Sequence, residues 1–121
     1  FDISFDNGSV NLLVNSNEQM LVEKLRSLLK FGVLSTRYKD VIDIYYLGQH
    51  VDYKKLQVCL DSYIFRDPQM REHCVADVVK RVRDVFSDRL YVERLTASDK
   101  NWIGEDVATI TKSIETFLES L

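Results

Sequence analysis

The sequence predicts a mainly α fold, α+β overall: a bundle of about five helices preceded by a short N-terminal β-hairpin. Three observations carry that expectation. Apolar residues recur at helical spacing through most of the chain beyond residue 18, glycines and small polar residues punctuate the pattern, and only residues 1–14 alternate around an Asn-Gly turn. At 121 residues and 45% hydrophobic, the chain has material for one core. No internal repeat, low-complexity stretch or linker divides it, so residues 1–121 are expected to form a single domain. The chain begins at Phe1, within what reads as a strand, and is therefore expected to be a piece of a longer protein.

In chain order, Phe1–Phe5 alternates apolar and polar residues, Asp6-Asn7-Gly8-Ser9 supplies a turn, and Val10–Val14 is apolar and rich in β-branched residues. Asn-Gly accepts the positive φ values that tight hairpin turns demand. Such a hairpin is marginal alone, so residues 1–15 should pack on the helices or form the edge of a sheet. Ser16 or Asn17 caps the first helix, with Glu18 near its positive end and Gly32 at its close. Ser35 or Thr36 starts the second helix, which runs to about Leu47 before Gly48. A third is expected from Asp52 to about Phe65, with Leu56, Cys59, Leu60 and Tyr63 in its apolar stripe. Asp67-Pro68 reads as the start of a long fourth helix through Val75, Val78, Val79, Val82, Val85 and Phe86. Leu90-Tyr91-Val92 fits a short strand or a helix continuation equally well. The last helix, from about Glu105 to Leu121, places Val107, Ile110, Ile114, Phe117, Leu118 and Leu121 on one face.

Composition narrows the function classes. A net charge of −3 and a pI near 5.3 argue against a general nucleic-acid or membrane-surface binder. No apolar run approaches the roughly 20 residues that a membrane helix needs. Cys59 and Cys74 are far apart and only His50 and His73 accompany them, which argues against a structural zinc or a disulfide framework. Core thiols in a reducing cytoplasm are the expectation.

Two charged clusters stand out, Glu23-Lys24-Leu25-Arg26 and Arg37-Tyr38-Lys39-Asp40-Val41-Ile42-Asp43. At roughly 100° per residue, Lys24 falls within an apolar stripe, between Leu28 on one side and Met20 and Phe31 on the other. A desolvated ammonium is costly unless paired, so Lys24 either snorkels outward or meets an acidic or phosphate partner in a pocket. On the second helix Tyr38, Val41, Ile42 and Tyr45 share one face. Lys39, Asp40 and Asp43 share another, flanked by Arg37 and interleaved with Ile44 and Leu47. Two carboxylates there suit a cation or a proton. Equally, Lys39 with Asp43 and Arg37 with Asp40 have the spacing of ordinary surface ion pairs. Lys80, Arg81, Arg83 and Arg89 suggest a basic patch, but Asp77, Asp84 and Asp88 alternate with them as on a solvated face. Tyr45, Tyr46 and Trp102 read as core or interface residues before base-stacking platforms.

The order Glu23-Lys24-Leu25, a short gap, then Arg37-x-Lys39-Asp40-x-x-Asp43 resembles two C-terminal motifs of AbiEii-type nucleotidyltransferase toxins of type IV toxin–antitoxin and abortive-infection systems. The likeness covers residues 18 to 47 directly. It implies the C-terminal helical part of a polymerase-β-like fold whose chemistry transfers a nucleotide from a nucleoside triphosphate (NTP) to an acceptor. Lys24 would then reach the triphosphate and Asp40 would join the catalytic groups, with Arg37, Lys39 and Asp43 helping to bind the nucleotide. The family's Gly-Ser segment followed by Asp-x-Asp is missing from the sequence, since Gly8-Ser9 lacks the carboxylate pair. Phe1-Asp2-Ile3-Ser4 resembles the later strand that supplies a third metal-side carboxylate, which would be Asp2. The resemblance further implies Mg²⁺ and an NTP in the whole protein, a tRNA or protein acceptor, and an antitoxin. This chain alone is expected to be inactive and to bind neither cofactor tightly. The competing expectation is a non-catalytic helical module for antitoxin binding or oligomerisation.

Overall fold

The computed structural model describes residues 16–121, and among these residues there are α-helices and no strand. Six helices follow one another: α1 (Asn17–Phe31), α2 (Tyr38–Leu47), α3 (Tyr53–Leu60), α4 (Val75–Ser87), α5 (Arg89–Ala97) and α6 (Val107–Glu119). A short 3₁₀ turn, Gly32–Leu34, follows α1, and α3 runs on into a π-helical turn at Asp61–Phe65.

The first helix lies at the centre, packed against α2, α3 and α4, while α6 closes the bundle against α2 and α4. Its start and stop are written locally. Ser16 Oγ accepts the N–H of Gln19 at 3.1 Å, so one of the orphan donors of the first turn is satisfied. At the other end Gly32 takes φ +55° and returns its N–H to the Leu28 carbonyl. Leu21, Val22, Leu25, Leu28 and Leu29 then face a core shared with Val41, Ile42, Leu56, Leu60, Val82, Ile110 and Ile114. Glu18 is buried with them, and its carboxylate accepts the Asp52 N–H at 2.7 Å, tying the start of α1 to the start of α3.

Gly32 also receives α4. The Arg81 Nε donates to the Leu29 carbonyl at 3.4 Å, and a Cβ on Gly32 would meet the Arg81 guanidinium at 2.7 Å. Gly32→Ala is therefore expected to cost about 1–3 kcal/mol, from a backbone conformation that suits glycine and from displacement of Arg81. Urea unfolding checks it; an unchanged midpoint would mean that this junction tolerates a side chain.

Four expectations are corrected and one open choice is settled. The α+β description gives way to an all-α one over residues 16–121, and the hairpin expected at residues 1–15 lies outside the described residues. The one internal strand considered, Leu90-Tyr91-Val92, is helical: Asp88 ends α4, and its carboxylate accepts the Tyr91 N–H at 2.9 Å to begin α5. Tyr91 and Leu95, one turn apart, supply the buried face of that helix, which makes six helices where about five were expected. Asp67-Pro68 does not start α4, which begins at Val75. The Asp67 carboxylate is engaged by the Gln69 N–H and by Arg26, and the restart falls to Asp77, which accepts the His73 N–H. Cys59 is a core thiol as expected, whereas Cys74, just before α4, is exposed.

Tyr91 offers a clean test of polar bookkeeping in this core. Its ring is 1% exposed between Tyr38 and Phe86, and its hydroxyl has no hydrogen-bond partner among the described residues. Burial, together with the nearby Tyr38 and Asp40, raises its pKa well above the ordinary phenol value. Removing a buried, unpartnered hydroxyl relieves its desolvation cost, so Tyr91→Phe should be neutral or stabilising by up to about 1 kcal/mol. A clear loss of thermal stability would reveal a partner for that oxygen.

Candidate functional site

Lys24 lies at the border of the core rather than in it. Leu21, Leu25 and Leu28 are buried, but Met20 and Phe31, expected to flank Lys24 in the apolar stripe, are exposed. Its ammonium projects to α2, which packs along α1 and offers two carboxylates one turn apart. Asp40 and Asp43 are each only 7% exposed. Lys24 Nζ lies 3.3 Å from Asp40 Oδ1 and 3.1 Å from Asp43 Oδ2. Of the two outcomes open for Lys24, pairing inside a pocket is the one realised.

All four carboxylate oxygens are engaged. Arg37 Nε approaches Asp40 Oδ2 at 2.9 Å, Lys39 Nζ approaches Asp43 Oδ2 at 2.8 Å, and the Trp102 indole N–H donates to Asp43 Oδ1 at 2.7 Å. The i,i+3 and i,i+4 pairs expected along α2 are thus present, but their carboxylates are buried and shared with a cation from another helix. Burial alone would depress the Lys24 ammonium pKa; its bonds and charge contacts to Asp43 and Asp40 outweigh that and hold it above the usual lysine value. Burial would likewise raise Asp43, and the hydrogen bonds from Lys39, Trp102 and Lys24 instead keep its carboxyl below the usual aspartate range.

Beside this cluster a cleft of about 290 Å³ opens between α1 and the start of α2, lined by Met20, Glu23, Lys24, Ser27, Arg37 and Asp40. Glu23 is exposed at its rim and accepts a hydrogen bond from Gln19 at 2.7 Å. Lys24 and Arg37 therefore present donors to an anion in this cleft, backed by a buried carboxylate that fixes both. Mg²⁺ is not suited to the same residues. The oxygens of Asp40 and Asp43 already face cations or an N–H, and no three His, Cys, Asp or Glu side chains gather as a metal site among the described residues.

The structure brings Lys24, Arg37, Lys39, Asp40 and Asp43 into one constellation, while Asp2 lies outside the described residues. It adds Trp102 and Ser27, which the sequence did not single out for this site. Nothing local marks Trp102, whose bond to Asp43 spans 59 residues of chain. Of the basic residues of α4 and α5, Arg81 turns to α1, Arg83 pairs with Glu119 and Arg89 with Glu93, while Lys80 shares a surface pocket with Arg81, Asp77 and Asp84. His50 stacks obliquely on Tyr46, and the His73 ring meets the Phe65 carbonyl, both structural contacts.

No helix among the described residues is long and apolar enough to cross a membrane. No curated protein and no solved structure shows significant similarity to the chain. A family model described as the nucleotidyl transferase AbiEii toxin of a type IV toxin–antitoxin system matches residues 2–120. That match extends the motif resemblance from one stretch to nearly the whole sequence, and the chain belongs to the AbiEii nucleotidyl transferase toxin family.

Proposed function

We propose that this chain supplies one wall of a nucleotidyltransferase active site, with Lys24 and Arg37 receiving the polyphosphate of an NTP and Asp40 holding both in place. The observation that carries the reading is the Lys24 ammonium, fixed between two buried carboxylates of another helix at the edge of an open cleft. Transfer of a nucleotidyl group demands little covalent chemistry from the protein. It demands positive charge where the phosphate oxygens accumulate negative charge, in groups that do not reorganise during the reaction. Lys39 and Asp43 serve indirectly: Asp43 binds Lys24, and Lys39 keeps Asp43 ionised.

In this scheme an acceptor hydroxyl attacks the α-phosphorus, the bond to the bridging oxygen breaks, and diphosphate leaves. Asp40 Oδ1, which keeps a lone pair beside its bond to Lys24, accepts the hydroxyl proton while Lys24 and Arg37 stay in place. Mg²⁺, when bound, supplies further charge neutralisation; its ligands would come from outside residues 16–121, with Asp2 one of them. The acceptor is a tRNA or a protein, and an antitoxin restrains the activity.

The test is transfer of a labelled nucleotide by the whole protein. Lys24→Ala and Asp40→Ala should both abolish most transfer while circular dichroism remains helical. Wild-type rates in both variants would instead favour a non-catalytic helical interaction module.

A further inference from the structure

We propose that Trp102, together with Tyr46, forms the stacking platform for the base of the nucleoside triphosphate; this rests on the phosphate reading of the Lys24 cleft. Trp102 is 52% exposed and Tyr46 41% exposed, their ring centroids 5.3 Å apart at 65°. Tyr46 in turn lies against the His50 ring at 4.6 Å. Large aromatic rings left in water are ordinarily mobile, yet here the indole is pinned. Its edge donates to Asp43 Oδ1 at 2.7 Å, the carboxylate whose other oxygen holds Lys24 at 3.1 Å. The indole is therefore tied to Lys24 through one side chain, Asp43, and lies outside the residues that line the cleft itself.

The loop that carries Trp102 is ordered by its own bonds. Asn101 Nδ2 donates to the Glu105 carbonyl at 2.7 Å, Asn101 Oδ1 accepts the Gly104 N–H at 3.0 Å, and Ser98 Oγ accepts the Lys100 N–H at 3.1 Å. Gly104, at φ +75°, makes the tight return. The ring is thus held before any ligand arrives, without being buried. A rigid, half-exposed indole beside clustered cations suits a molecule with a flat aromatic end and a polyanionic end. A nucleoside triphosphate has that form. Stacking uses the π face that every base possesses, so the platform accepts purines and pyrimidines.

Trp102 is the only tryptophan of the chain, so its emission, taken as the difference between the whole wild-type protein and Trp102→Phe, reports on this ring alone. Titration with ATP and with CTP is expected to quench it, whereas inorganic tripolyphosphate should bind by calorimetry without quenching. Trp102→Ala should weaken NTP binding roughly tenfold and leave tripolyphosphate affinity within about twofold. Trp102→Phe, which keeps a ring but loses the bond to Asp43, should retain most NTP affinity. NTP binding that depends on Lys24 but neither quenches Trp102 nor weakens in Trp102→Ala would overturn the platform and leave the phosphate site standing. Equal weakening of NTP and tripolyphosphate in Trp102→Ala would also overturn it, reducing Trp102 to a support for Asp43. Failure of both ligands to bind would remove the phosphate reading, and the platform with it.

Discussion

Lys24→Met is expected to lower nucleotide transfer by about 100-fold or more, the scale seen when one preorganised donor to a developing oxyanion is removed. Methionine keeps much of the lysine stem and deletes the charge. The fold should survive this change. Asp40 retains Arg37, and Asp43 retains Lys39 and the Trp102 N–H, so neither buried carboxylate is orphaned. A stability loss of about 1 kcal/mol is the expected scale for the bonds given up. If Lys24 acts on the phosphates mainly as charge moves onto them, kcat and kcat/KM should fall together; a rise in KM alone would make it a ground-state anchor. Lys24→Arg should recover only part of the loss, because a planar fork does not reproduce a point charge directed at two carboxylates and a phosphate.

Asp43→Ala should have the larger effect on stability, about 2–3 kcal/mol in urea unfolding. It leaves the partly buried Lys24 with Asp40 alone, and it strips the Trp102 N–H and Lys39 of their partner. Breaking a fully buried ion pair costs about 3–5 kcal/mol, and the exposure of Lys39 and the partial exposure of Lys24 reduce that figure. The same cluster sets a pH window. Asp43 is depressed below its ordinary value near 3.8, so its contribution is complete above that value and is lost as pH falls through the lower folded pKa. Lys24 is raised above 10.5, so its contribution is complete below that value and is lost as pH climbs through the higher folded pKa. Wild-type stability from this cluster should therefore be flat between the two, and Asp43→Ala should flatten the acid limb.

The parts of this architecture written in short-range chemistry were legible in the sequence. Ser16 as a cap, Gly32 as a stop and Asp52 opening α3 each depend on residues within a few positions. The start of α4 was not legible, because Asp67 has a good cap's chemistry but binds Arg26, 41 residues away. The charged residues of the site were legible as odd members of apolar helices, and the family likeness joined Lys24 to Asp40 before any geometry did. Their burial was less so: Asp40 and Asp43 read equally well as solvated partners of Arg37 and Lys39. Trp102 was weighed as a core or interface residue, and its bond to Asp43 was not legible, since an exposed indole anchored through its N–H leaves no periodic signal.

Binding of the nucleotide in the Lys24 cleft is tested most directly by NMR mapping of the whole protein during titration with a nucleoside triphosphate. Shifts concentrated on Lys24, Ser27 and Arg37, and absent for that ligand in Lys24→Met, are the predicted result. Unmoved signals at those residues, with shifts instead around the apolar cavity between Tyr45 of α2 and Phe117 of α6, would contradict it.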